Sequence, residues 1–335
     1  MKREKITVSK IAKEADVSPA TVSRVMNHPE IVHNSTITQV EKAMDTLGYR
    51  IEQRSYVSQV DQPIIVLNIP SVGNDFYQEV IRGVLTSAKA HGCQLLTYQS
   101  PLNKSSVRSF CNLLKRVNAS GTILLNRLSI ESLEEIHSVV PLVQCCEYNE
   151  DASYPYISIN DYTAAKNATR YLISCGCNKI SLLNGPASFK YSIKRKAGFL
   201  SALADEDLFI PQNWIVQLPE VSFDMAYSAT CRLLNSETRP HAFFAVSDVF
   251  AAAVISASKR FHLNVPNDIM VIGFDNIELS RIITPQITTV NQPCFNLGYS
   301  ASESLVEMMN QPDYPSSSLL LETELVVRES TIRKW

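Results

Sequence analysis

Between Ile6 and His28 the chain carries two short amphipathic helical patterns almost back to back, and few folds accommodate that arrangement. Val8, Ile11, Ala12 and Ala15 recur at helical spacing. Asp16-Val17 breaks the pattern, Ser18 is a good N-cap, and Pro19 suits the first position of a new helix. Val22, Val25 and Met26 then form a second apolar stripe. Two such helices with a tight turn between them predict a helix-turn-helix. A third amphipathic helix is expected over 36–47, with Ile37, Val40, Ala43, Met44 and Leu47 inward and Gly48 at its end.

The second helix has the composition of an element that reads a groove. Ser18, Thr21, Ser23 and Arg24 are small or polar, while Val22, Val25 and Met26 supply the inner face. Arg24 can give two hydrogen bonds to guanine O6 and N7, and Ser18, Thr21, Ser23 and Asn27 can donate to phosphates. Pro19 and Ala20 offer only apolar contact, such as to a thymine methyl. A small helical domain with no role on DNA would show the same apolar pattern. Charge adds a weak pointer. Residues 1–60 hold nine basic and seven acidic side chains, and the remainder holds twenty-two and twenty-six. The net charge of −2 argues against a protein that coats nucleic acid everywhere.

Residues 50–62 are polar and end at Pro63, which marks them as a linker. Beyond Pro63, apolar runs at 64–67, 94–98, 122–125, 142–146, 180–183, 242–246 and 269–273 read as buried strands. Helical patterns at 77–90, 107–117, 164–174, 195–203, 225–234 and 249–261 separate them. Such alternation predicts an α/β fold with parallel sheets covered by helices. There are too many strands for one comfortable sheet, so two similar lobes are expected. With 335 residues, 45% of them hydrophobic and 19% charged, there is ample material for these cores.

The residues 17–27, Val-Ser-Pro-Ala-Thr-Val-Ser-Arg-Val-Met-Asn, resemble the recognition-helix signature of the lactose-repressor (LacI) family of bacterial transcription regulators. Val8-Ser9-Lys10-Ile11-Ala12 resembles the family's first helix. Thr36, Val40 and Leu47-Gly48-Tyr49 resemble the third helix and its end. The likeness continues through Asn74-Asp75-Phe76-Tyr77, Arg195-Lys196-Ala197-Gly198-Phe199, Ala245-Val246-Ser247-Asp248 and 265–275. It extends to Pro285-Gln286-Ile287-Thr288-Thr289-Val290 and 324–331.

The resemblance implies a helix-turn-helix head over 1–49, a hinge over 50–62, and a two-lobed body like a periplasmic binding protein over 63–335. It implies contacts to a near-palindromic DNA operator from Thr7, Ser18, Pro19, Ala20, Thr21, Ser23, Arg24, Asn27, Thr36 and Tyr49. It also implies a homodimer and a small effector, a sugar or sugar derivative, held between the lobes by Phe76, Asn160, Arg195, Val221, Asp248 and Asp275. Carboxylates and guanidinium bind paired hydroxyls, and a ring covers a C–H face. Asp248 and Asp275 could instead cap helices.

Departures from the family pattern are equally specific. Where a leucine wedge for the minor groove is usual, the hinge has Ser58, leaving either Tyr56 or Val57 to replace it or a hinge that does not form a helix. Asn160-Asp161 inverts the usual Asp-Asn order, Ser247 replaces a usual Asn, and Val221 stands near a usual aromatic. Cysteines at 93, 111, 145, 146, 175, 177, 231 and 294 sit mostly in apolar stretches and read as packing residues. Neither a metal nor a cofactor is expected. The chain lacks the signatures of phosphate-binding loops, nucleophile elbows and zinc sites, which argues against an enzyme. No apolar run follows Met-Lys-Arg, so a cytoplasmic protein with no membrane span is expected.

Overall fold

The computed structural model describes residues 8–27, 32–47, 62–71, 75–311 and 317–333. The chain divides into two compact units, Met1–Asp61 and Gln62–Trp335.

In the first unit, α1 (Val8–Glu14), α2 (Pro19–Asn27) and α3 (Asn34–Leu47) surround one small core. Ile11, Ala12, Ala15, Val22, Val25, Val40, Ala43 and Met44 fill it. Asp16 turns the chain between α1 and α2 in the left-handed conformation (φ 50°), which short polar side chains tolerate. Val8 is exposed rather than inward, because α1 starts there and its first turn overhangs the core. The helix α3 begins two residues earlier than its apolar spacing indicates. Asn34 and Ser35 form a polar first turn that carries no periodic signal, and the His33 carbonyl accepts the Thr36 amide at 2.9 Å.

The second unit is two α/β lobes. The first comprises β1 (Ile64–Ile69), α4 (Asp75–Ala90), β2 (Gln94–Gln99), α5 (Val107–Arg116), β3 (Ala119–Leu124), α6 (Ile130–His137), β4 (Leu142–Cys145) and β5 (Tyr156–Ile159). The second comprises α7 (Asp161–Ser174), β6 (Ile180–Asn184), α8 (Lys190–Asp205), β7 (Ile215–Gln217), α9 (Phe223–Leu234) and β8 (Ala242–Ala245). It continues with α10 (Asp248–Arg260), β9 (Met270–Asp275), α11 (Leu279–Ile282) and β10 (Thr288–Asn291). The chain then returns to the first lobe for α12 (Cys294–Asn310) and β11 (Leu319–Leu321), and to the second for β12 (Glu324–Val326). It therefore crosses between lobes three times.

The sheet orders are β11-β5-β4-β3-β1-β2 and β12-β10-β9-β8-β6-β7. These are the same winding twice, and each lobe has a switch point beside its first strand. Every pairing is parallel except that of β12 with β10. Strands covered by helices on both faces are almost continuously apolar, as in Ile64–Ile69, broken only by the buried Asn68, and Met270–Phe274 ahead of Asp275. Phe199, Phe243, Phe244, Phe250 and Phe274 are fully buried in the second lobe, each burial stabilising by roughly 1.5–3 kcal/mol.

Five of the eight cysteines are buried in these cores, and Cys177 donates to the Met270 sulfur at 3.6 Å. Among the described residues no helix is long and apolar enough to cross a membrane, and no cluster of three or more metal-ligating side chains occurs.

The helices α4 and α12 cross at two glycines. A Cβ on Gly298 would fall on the Val80 carbonyl, and one on Gly83 on the Phe295 carbonyl. Alanine gains about 1 kcal/mol in helix propensity over glycine. Here the obstacle is backbone, which cannot rotate aside. Gly298→Ala is therefore expected to destabilise by about 1–3 kcal/mol in urea unfolding despite its propensity gain. A stabilised variant would show that the crossing has slack.

Candidate functional site

Two surfaces gather the residues singled out above. On the head, Ser18 caps α2. Its hydroxyl accepts the Thr21 amide at 3.0 Å and lies 2.8 Å from the Thr21 hydroxyl. This cap fixes which way the helix faces. Val22 and Val25 are buried, while Ser18, Pro19, Ala20, Ser23 and Arg24 are exposed and Thr21 is half-buried. The exposed set includes the start of the helix, where the helix dipole favours an anion such as phosphate. Thr36 is half-buried in the first turn of α3. Thr7, Tyr49, Tyr56, Val57 and Ser58 lie outside the described residues, as do the side chain of Asn27 and all of the expected hinge except Gln62.

In the body, a cavity of about 630 Å³ opens at the carboxyl ends of the strands of both sheets. In folds of this class ligands bind at that edge, beside the switch points. Pro70 and Ser71 follow β1, Leu125 follows β3, and Cys146 and Glu147 follow β4. Val246 and Ser247 follow β8, Asp275 ends β9, and Gln292 follows β10. The rings of Phe76 and Tyr77 line the cavity from α4, and those of Phe189 and Tyr191 from the start of α8. Val221 completes the wall near α9. Cys146 (φ 66°) and Asp275 (φ 104°) both adopt left-handed backbone at strand ends. Strain of this kind persists only where the surroundings hold it, and it clusters at functional sites.

Beneath the wall is a buried ion network. Asp161, at the start of α7, accepts Lys190 Nζ through Oδ2 and Arg195 Nε through Oδ1, both at 2.8 Å. Burial raises the Asp161 pKa, but Arg195 and Lys190 outweigh it and hold the carboxyl below its ordinary value. The Arg195 guanidinium also donates to the Val246 carbonyl at 2.8 Å and stacks 3.4 Å from the centre of the Phe274 ring. It reaches Asp275 Oδ1 at 3.6 Å. Asp275 in turn accepts from Gln292 Nε2 at 2.6 Å. Burial pushes the Asp275 carboxyl up to about 6, against the pull of Arg195 and Gln292. Burial likewise pushes Glu147 up to about 7, against Lys190 and the amides of Tyr191 and Lys190.

Of the six expected effector contacts, Phe76, Arg195, Val221 and Asp275 line this cavity together. Asn160 and Asp248 do not. Asn160 is exposed, and its side chain is consumed in capping α7 by accepting the Thr163 amide at 3.0 Å. The inverted Asn-Asp order thus puts the cap first and sends the next residue, Asp161, inward. Asp248 is fully buried against Gly273 at the start of α10, where its Oδ2 accepts the Ile277 amide at 2.9 Å. Burial and the neighbouring Asp275 carboxylate push its pKa well above the usual range. Asp248 does not cap α10 either: Ser247 does so by accepting the Phe250 amide, and the Asp248 carboxylate serves the Ile277 amide beyond the helix.

Sequence reasoning missed Asp161, Glu147, Tyr77, Phe189, Tyr191 and Gln292. Asp161 had a signal in Asn160, because a good N-cap residue implies that the next side chain starts a helix. The others come together only through the crossing of two lobes.

The arrangement offers apolar rings, the Asp275 carboxylate and the Arg195 guanidinium in a cavity of small-molecule size. Such a set binds hydroxyls and C–H faces. The comparisons with known proteins follow the same division. Residues 7–51 match the model of bacterial regulatory proteins of the lacI family, and residues 169–331 match a periplasmic binding protein-like domain. The chain is 31% identical over 328 residues to the HTH-type transcriptional repressor CytR of Escherichia coli (strain K12), covering 97% of this chain and 96% of that one. Among solved structures, the transcriptional regulator CelR–cellobiose complex aligns with a TM-score of 0.72 at 24% identity, covering 97% of this chain and all of that one. The lac repressor dimer bound to operator and the anti-inducer ONPF aligns at 0.75 and 22%, covering 98% and 100%. With a recognition-type head, a two-lobed body and this identity over nearly its whole length, the chain belongs to the lacI family of bacterial regulatory proteins and is a DNA-binding transcription regulator, not an enzyme.

Proposed function

We propose that the protein is a dimeric cytoplasmic repressor whose operator affinity is set by a sugar or sugar derivative bound between the lobes. The observation that carries this reading is the cavity at the strand ends, where Phe76 and Tyr191 face Arg195 and Asp275. Its volume of about 630 Å³ suits a mono- or disaccharide. The cellobiose complex of the similar regulator supports a carbohydrate here. The effector shifts the populations of two lobe arrangements, and with them the spacing of two heads on a near-palindromic site. The segment 50–62 joins head to body, with Tyr56 or Val57 making the apolar minor-groove contact in place of Ser58.

A thermal-shift screen of sugars, sugar phosphates and nucleosides tests the ligand class, since a ligand that binds only the folded state raises its Tm. A screen in which only non-carbohydrates raise the Tm overturns the sugar reading. For the head, α2 lies in the major groove with Arg24 on a guanine. Arg24→Ala is expected to weaken operator binding by about 1–3 kcal/mol and to relax one base preference. Equal operator affinity of variant and wild type in a salt-controlled titration removes Arg24 from base reading.

A further inference from the structure

The helix α8 begins at Lys190, and the residue at its N-cap is Phe189, whose ring has no acceptor for the first amides of a helix. Four other helices of the body solve this locally. Ser129, Asn160, Ser222 and Ser247 each accept an amide of the helix they precede. For α8 the cap comes from the opposite lobe. Glu147 lies just past β4 in the first lobe. Its Oε2 accepts the Lys190 amide at 2.7 Å and its Oε1 the Tyr191 amide at 3.0 Å. Glu147 is 4% exposed. The same turn is tied to the first lobe at further points. Lys190 Nζ donates to Ser158 Oγ at 3.2 Å and lies 4.4 Å from the centre of the Tyr148 ring. One turn on, Lys194 pairs with Glu150 at 2.8 Å.

A carboxylate with both oxygens on the amides of a helix start combines two charge-assisted hydrogen bonds with a favourable helix dipole. Separating the lobes at this edge must break both bonds and leave the first amides of α8 without any acceptor from Phe189. We infer that Glu147 is a positioning residue of the cleft, a helix cap shared across the lobes that fixes the first turn of α8, and with it the rings of Phe189 and Tyr191, against the first lobe. Glu147 lines the cavity, but its oxygens are committed to backbone. Its role is to set the distance between the ring-bearing turn and the strand ends that face it.

Amide exchange on the full chain, without added ligand, tests this independently of any effector. In Glu147→Ala the Lys190 and Tyr191 amides are expected to exchange at least about tenfold faster than in wild type, the change confined to the first turn of α8 and the β4–β5 connection. Glutamine keeps the length but has one acceptor oxygen, so Glu147→Gln is expected to restore protection at only one of the two amides. Unchanged exchange at both amides in Glu147→Ala overturns the inference. So does faster exchange spread evenly through both sheets, which marks general destabilisation, or full protection of both amides by glutamine.

Discussion

Asp161→Ala is expected to lower the unfolding free energy by about 3–5 kcal/mol, the cost of breaking a buried ion pair from one side. The reason is geometric. The Asp161 carboxylate is 3% exposed and each of its oxygens holds one cation at 2.8 Å, so its removal leaves Lys190 and Arg195 buried with unmatched charge. Arg195 keeps the Val246 carbonyl, the Phe274 ring and the more distant Asp275, whereas Lys190 keeps Ser158, the Tyr148 ring and the field of the nearby Glu147 carboxyl. Urea unfolding at neutral pH reads the loss. A second substitution, Lys190→Met, is expected to recover part of it by removing the stranded charge. The pH dependence has a definite sign. Because the folded-state pKa of Asp161 lies below its ordinary value, the stability it contributes is present above about pH 4 and lost as the pH falls through the folded value. A loss below about 1 kcal/mol in Asp161→Ala would show that water or rearrangement compensates the two cations.

The second large effect concerns Asp275. With the sugar that raises the Tm most, Asp275→Ala is expected to abolish the effector response while operator affinity stays within about twofold of wild type. The carboxylate faces the cavity beside Arg195, and truncation leaves a hydroxyl of the ligand without its acceptor. Burial pushes this carboxyl up to about 6. The charged form is the better acceptor, so effector affinity is expected to fall as the pH drops through 6. Stability runs the other way. A folded pKa raised above the ordinary carboxylate value contributes stability that is fully present below about pH 4 and lost as the pH rises through 6. That contribution is about 3 kcal/mol, and Asp275→Asn should flatten it. An effector response that survives in Asp275→Ala would remove the residue from the site.

The head was legible almost to the residue, because caps and apolar spacing are local signals. Ser18, Pro19, Val22 and Val25 state where α2 starts and which side it buries. The body's strand-helix alternation was legible for the same reason, as were the two lobes. Most helix starts of the body were missed, although α5 begins at Val107 as its pattern predicts. The helices α4, α7, α8, α9 and α10 each begin one to five residues before their apolar pattern, because first turns are spent on caps and site residues such as Asp161 and Lys190. The short strands β5, β7, β10, β11 and β12 carry too few residues for periodicity, and α6, α11 and α12 were overlooked altogether. Half of the cavity wall depends on pairs such as Glu147 with Tyr191, separated by 44 positions and joined only by lobe geometry. Spacing along a chain contains no record of such meetings.

The place where the body receives its linker has a mechanical consequence. The chain enters the first lobe through β1, and β1 is an inner strand, paired over Ile64–Ile69 with β2 on one side and from Ile64 to Asn68 with β3 on the other. A load arriving through residue 62 therefore runs along two ladders at once. It must shear many hydrogen bonds together instead of peeling one edge bond at a time. A tether attached in this way transmits displacement from the lobe with little give, as a lever fixed at the centre of a plate does.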